Sequence, residues 1–181
     1  FKAPHRNWSG ALRHLELFKG VTMPEPDSLF DDYADRSKVL AEHAMGIDKH
    51  MYWGHDMKFN GPNLFPDNFS IVIVNRQYQR MNESQKKAWD AVYEPENQKF
   101  IADMKAGKLS KKDIVRWKYQ RYIKDYLKSI ASVDEGVGRV LEYLDESGLA
   151  KNTIVIYSSD QGFYLGEHGW YCLLYTSPSP R

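Results

Sequence analysis

The residues best suited to chemistry lie near the end of the chain, in Ser159-Asp160-Gln161-Gly162 and in Leu165-Gly166-Glu167-His168-Gly169. Asp160 offers a carboxylate and Gln161 an amide carbonyl, and both are oxygen donors that a hard cation such as Ca²⁺ accepts. Gly162 behind them lets the backbone pass close to an ion or a substrate. Two side chains fill only part of a Ca²⁺ shell of about 6–8 oxygens, so at least two more acids must come from elsewhere. An Asp after an apolar run is also a common turn former, but a following Gln is not a usual turn residue. His5, in Ala3-Pro4-His5-Arg6-Asn7-Trp8, is the catalytic candidate. Its imidazole is able to contact an anionic substrate or protonate a leaving oxygen, and the alternative is an exposed loop histidine. Glu167 and His168 lack the His-Glu-x-x-His spacing of a transition-metal site. They are assigned to the pocket wall or to a layer supporting the cation ligands.

The other titratable residues carry weaker signals. His14, His43, His50 and His55 have no recognisable spacing and read as surface residues. The series Lys108, Lys111, Lys112, Arg116, Lys118, Arg121, Lys124 reads first as a solvated helix face, with a polyanion groove as the alternative. Ser177-Pro-Ser-Pro-Arg181 has the spacing of a nucleophile followed by an arginine. It is set aside, because no helix follows to hold the arginine.

These residues need elements to position them. Ile154–Tyr157, a short β-branched run, is predicted as a buried strand that delivers Asp160 to its carboxyl end, where ligands gather in α/β sheets. A helix is predicted from Ser110, where Ser110-Lys-Lys-Asp113 resembles a capping box. Apolar residues from Tyr119 through Tyr122, Ile123, Tyr126, Ile130, Val133, Val137, Val140 and Leu144 form its single buried stripe, and Gly148 ends it. Helices are also predicted at Ser84–Tyr93, stopped by Pro95, at Glu96–Lys105, closed by Gly107, and around Ser37–Met45. Residues 60–68 read as a loop and Phe69–Val74 as a candidate strand. Residues 1–35 read as loop with a short apolar piece at Leu12–Phe18.

Composition narrows the function classes. The 181 residues carry a net charge of +1, which argues for neither a nucleic-acid nor a membrane-surface partner. No apolar run approaches the roughly 20 residues of a membrane span. Phe1–Trp8 has no apolar core of the kind a signal peptide carries, so compartment is not legible here. Aromatic content is 14%, which suits either packing or a ring-lined carbohydrate pocket. The single cysteine, Cys172, opens a segment that differs from what precedes it. Cys172-Leu-Leu-Tyr-Thr-Ser-Pro-Ser-Pro-Arg181 resembles the in-frame translation of a transposase sequencing adapter. The expected division is therefore 1–171 as the native part and 172–181 as adapter read-through.

Taken together, Ser159–Gly162 with Leu165–Gly169, the Ala3-Pro4-His5 triplet, the helix around Ser132–Gly138 and the run Ser147-Gly-Leu149 to Asn152-Thr153 resemble the formylglycine-dependent sulfatases of the alkaline phosphatase superfamily. The resemblance covers most of residues 1–171 and implies an α/β fold: an internal fragment of the sulfatase catalytic domain, with a partial alkaline-phosphatase-like sheet flanked by helices and truncated at both ends. It implies a sulfuric ester hydrolase, with Asp160 and Gln161 as Ca²⁺ ligands and His5 as a sulfate contact. It also implies a nucleophilic formylglycine made from Cys or Ser upstream of this chain. Family members commonly continue with Asp-Lys-Arg where this chain has Cys172, so a sulfate-binding lysine is missing, and the chain by itself is expected to be inactive. The expected substrate is a sulfate ester, with sulfated carbohydrate favoured by the aromatic-rich insert between His5 and Asp160. A periplasmic, secreted or lysosomal location is implied. Two alternatives stay open: a phosphoester or phosphonate hydrolase of the same superfamily, and a non-catalytic carbohydrate-binding paralogue.

Overall fold

The computed structural model describes residues 3–59 and 78–173. The predicted loop at 60–68 and the candidate strand at 69–74 lie outside them, as does most of 172–181. The described part is mostly helical. A short helix, α1 (Lys38–Ala41), precedes two long ones, α2 (Glu83–Lys105) and α3 (Lys111–Glu146), and a two-stranded antiparallel sheet follows, β1 (Tyr164–Leu165) with β2 (Tyr171–Cys172).

Both long helices begin with reciprocal caps. In α3, Asp113 N–H donates to Ser110 Oγ at 3.2 Å and Ser110 N–H donates to Asp113 Oδ2 at 2.9 Å, so Asp serves where Glu or Gln is usual. In α2, Asn82 and Gln85 make the same exchange, both at 2.9 Å. Where the sequence predicted two helices broken at Pro95, a single α2 runs through it. An interior proline removes one backbone hydrogen bond and crowds the preceding turn. The helix survives because side chains on both sides of Pro95 are anchored in the interior: Trp89, Tyr93, Asn97 and Phe100 are all buried.

The main core lies where the N-terminal half of α3 meets the loops of residues 3–59. Tyr119, Tyr122 and Ile123 of α3 pack with Trp8, Ile47, Met57 and Tyr171. Gly10 allows the N-terminal segment to press onto α3, since a Cβ there would stand 2.7 Å from Lys128 Cβ and 2.8 Å from Lys128 O. Val133 ends the buried part of the α3 stripe. Beyond it Val140 and Leu141 are exposed, so the predicted one-sided burial holds only for the first half.

The predicted buried strand at Ile154–Tyr157 is not formed. Ile154 is 89% exposed and Ile156 is 85% exposed. A β-branched run supplies propensity, but a strand also needs neighbouring backbone to complete its hydrogen bonds, and the described residues bring none to it.

The basic series on α3 is a second departure. Lys118 and Arg121 are 3% and 5% exposed. Lys118 Nζ donates to Asp48 O at 2.9 Å and lies 4.5 Å from the Trp53 ring, while Arg121 Nη1 donates to Met57 O at 3.1 Å. The loop of residues 45–58 forms few backbone ladders, so its inward carbonyls need donors. The α3 cations supply them, and burial pushes the Lys118 ammonium down to about 8.

Candidate functional site

Asp160 and Gln161 sit in a bend after the exposed 154–157 segment, and both are exposed. Ser159 Oγ donates to the Gln161 backbone carbonyl at 2.8 Å, which closes a tight local turn. Their oxygens are of the type Ca²⁺ takes. Among the described residues, no group of three or more His, Cys, Asp or Glu side chains gathers into a potential metal shell. The donor chemistry fits a hard cation, and the number of donors present falls short of a shell.

His5 is half-buried and follows a cis Ala3–Pro4 peptide. Its neighbours fix the position of this segment. Arg6 Nη2 and Nε donate to the two Asp56 oxygens at 2.7 and 3.0 Å, and the guanidinium lies over the Tyr52 and Tyr171 rings. Burial opposes that charge, but the hydrogen bonds and charge of Asp56 outweigh it and raise the Arg6 pKa. Trp8 is fully buried, with its ring 6.2 Å from both Phe163 and Tyr171. The His5 segment and the loop after Gln161 thus share one packing neighbourhood, joined by Trp8.

The Leu165–Gly169 motif is the turn of the small hairpin. Tyr164 pairs with Cys172 and Leu165 with Tyr171. Gly166 has φ of 109°, and a Cβ there would stand 2.6 Å from the Tyr119 ring, so both backbone and space require glycine. Glu167 accepts from Leu165 N–H at 2.7 Å, which commits it to the turn. Residues 45–47 extend the hairpin: Tyr171 N–H donates to Met45 O at 3.0 Å, and Ile47 N–H to Gly169 O at 2.9 Å.

His168 is the most constrained polar residue here. It is not glycine, yet it has φ of 57°. Its N–H donates to Ser28 Oγ at 3.0 Å, its carbonyl accepts from the Tyr33 hydroxyl, and its Nδ1 lies 2.6 Å from Asp31 Oδ2. Arg36 Nη2 stands 3.2 Å from the same Asp31 oxygen. The carboxyl of Asp31 is held below its ordinary range by the Tyr33 N–H first and by His168 second.

Sequence reading missed Ser28, Asp31, Tyr33 and Arg36, because they lie more than 130 residues from His168 with no spacing to mark them. It also placed His14, His43, His50 and His55 at the surface. His43 and His50 are half-buried instead, their Nδ1 atoms accepting from Met45 N–H and Gly46 N–H at 3.0 Å each. Burial lowers the pKa of both. His14 Nδ1 lies 3.1 Å from Ser132 Oγ. One further stretch, Ser9-Gly10-Ala11-Leu12-Arg13, has a Ser-x-Ala-x-Arg spacing. Its Arg13 is engaged by both Glu135 oxygens at 2.6 Å each, which turns the guanidinium to α3.

Comparison with known proteins agrees with the motif. The family model described as Sulfatase matches residues 48–178. An N-acetylglucosamine-6-O-sulfatase of Bacteroides thetaiotaomicron is 42% identical over 173 residues, which is 94% of this chain and 30% of that protein. Mouse iduronate 2-sulfatase is 48% identical over 52 residues, 28% of this chain and 9% of that protein. A solved protein in complex with its substrate, D-glucosamine-2-N,6-O-disulfate, superposes with a TM-score of 0.79 at 42% identity, covering 94% of this chain and 33% of that one. The chain therefore spans about a third or less of the length of these relatives. The family model spans more than half of the chain and the Bacteroides relative is 42% identical over 94% of it, so the chain belongs to the sulfatase family.

Proposed function

We propose that this chain is part of a sulfuric ester hydrolase that removes sulfate from a sulfated sugar, with a 6-O-sulfated glucosamine as the substrate class. The supporting observation is the 42% identity to an N-acetylglucosamine-6-O-sulfatase over 94% of the chain. In this reading Asp160 and Gln161 contribute oxygen donors to a Ca²⁺ ion, which when bound supplies positive charge against the sulfate oxygens. His5 contacts the sulfate or hands a proton to the leaving oxygen. The nucleophile is a formylglycine to which none of these 181 residues is assigned, so the isolated chain is expected to release no sulfate. Residues 172–181 remain proposed as adapter read-through, and resequencing the source DNA tests this: a genomic clone encoding them in frame would refute it. A periplasmic, secreted or lysosomal location follows from the same reading.

The test is sulfate release from glucosamine 6-O-sulfate, measured on the 181-residue chain and on the protein encoded by the complete reading frame in which it lies. The expected result is release by the second and none by the first. Turnover by the 181-residue chain would refute the assignment of the nucleophile outside it. Absence of turnover by both would refute the substrate class.

A further inference from the structure

We propose that a cavity between the segment 15–19, α2 and α3 is a second binding site, for a small organic monoanion with an apolar body, of the aryl carboxylate class. The site goes beyond the functional reading above, and neither His5 nor the Asp160–Gln161 loop lines it.

Three observations carry it. First, the cavity has the size and the walls for such a body. Its volume is about 190 Å³, and an apolar cavity of about 150 Å³ holds a benzene ring. Leu15 and Phe18 from the N-terminal segment face Val92 and Tyr93 of α2 across it.

Second, the α3 wall carries cations with donors to spare. Arg121, Lys124 and Lys128 follow one another on one face of the helix and all line the cavity. The Lys128 side chain is 7% exposed. Its ammonium lies 5.5 Å from the Tyr93 ring, and its three hydrogens find one acceptor among the described residues, Asp125 Oδ1 at 3.2 Å. Lys124 makes no hydrogen bond or ion pair among the described residues. Buried donors in folded proteins are satisfied, and a carboxylate in the cavity accepts from both ammonium groups. Arg121 keeps the wall in place, because its guanidinium lies over the Tyr93 and Trp117 rings at 5.0 and 4.9 Å.

Third, the charge at the cavity calls for one negative group. Each acid that lines it is already matched: Glu96 accepts from Arg121 Nη2 at 2.9 Å, and Glu16 from Lys19 Nζ at 3.0 Å. Asp125 is fully buried, does not line the cavity, and is matched by Lys128. Lys124 is left as the uncompensated charge. Burial lowers its pKa; Glu96 and Asp125 oppose this, while Lys128 and Arg121 add to it. A bound carboxylate supplies the missing partner, and the apolar wall takes the body attached to it.

The test titrates sodium benzoate into the ¹⁵N-labelled 181-residue chain at constant ionic strength, beside benzamide and sodium acetate. Benzamide keeps the ring without the charge, and acetate keeps the charge without the ring. The expected result is saturable movement of the Leu15, Phe18 and Val92 amide resonances, with benzoate bound at least about 5-fold more tightly than either control. Lys124→Met keeps the apolar stem and removes the charge, so it should bring benzoate down to the level of benzamide. Benzamide or acetate binding as tightly as benzoate, shifts centred on Asp160–Gly162 instead of the cavity, unchanged benzoate affinity in Lys124→Met, or no saturable binding would each overturn the proposal. The two controls are read on the native chain, so they decide the matter even where the variant does not fold.

Discussion

At the scale of residues, side chains that look ordinary in the sequence brace the segments that carry the site. His43 and His50 accept backbone N–H groups through Nδ1, and a protonated Nδ1 cannot accept. Burial depresses both from their ordinary 6.5, so the folded state disfavours the charged form. Their contribution to stability is complete above pH 6.5 and is lost as pH falls through the lower folded values. Urea unfolding between pH 5 and 8 should show a midpoint that drops on acidification, with a shallower drop in His43→Asn/His50→Asn; an equally steep drop in that variant would contradict the assignment. Arg121 allows a second test. Replacing it with Met strips the donors from Met57 O and Asn97 Oδ1 and should cost roughly 2–3 kcal/mol in the same unfolding experiment, whereas a neutral effect would show that those acceptors find water. The signal that singled out Asp160 and Gln161 is local, because adjacent residues carry it. The Asp31–His168 pair was not legible, because the two residues are 137 positions apart and only folding brings them together.

At the scale of elements, local rules held where nothing overrode them. The start of α3 was readable from Ser110 and Asp113, and its buried stripe was readable as far as Val133. Pro95 misled because a local breaking rule lost to the buried anchors Trp89, Tyr93, Asn97 and Phe100. The broken hydrogen bond should still carry its cost. Pro95→Ala is expected to stabilise the chain by up to about 3 kcal/mol, read as a raised urea midpoint, unless the proline ring itself makes packing that alanine cannot replace. A lowered midpoint would reveal such packing. Ile154–Tyr157 failed as a predicted strand for the opposite reason: its propensity is real, but pairing is a property of two segments and not of one.

At the scale of the whole molecule, both the run Ile154–Tyr157 and Val140, Leu141 and Tyr143 of the C-terminal half of α3 are exposed. Apolar surface of this kind favours self-association. Ile154→Lys/Ile156→Lys should lower binding of a hydrophobic dye and raise soluble yield while leaving the melting temperature within about a degree, because those side chains are already in water. A large loss of melting temperature would mean that they are covered in solution. The family was legible from short motifs, whereas the extension of the paired Tyr164–Leu165 and Tyr171–Cys172 strands by residues 45–47 was not, because it joins segments far apart in the sequence. Sulfatase action on a sulfated sugar through the Asp160–Gln161 loop is measured by ester hydrolysis with the protein from the complete reading frame. Glucosamine 6-O-sulfate and glucosamine 6-phosphate are assayed side by side, with and without Asp160→Asn. Sulfate release should exceed phosphate release and fall at least about 100-fold in the variant. Phosphate release without sulfate release, or full activity in Asp160→Asn, would contradict it.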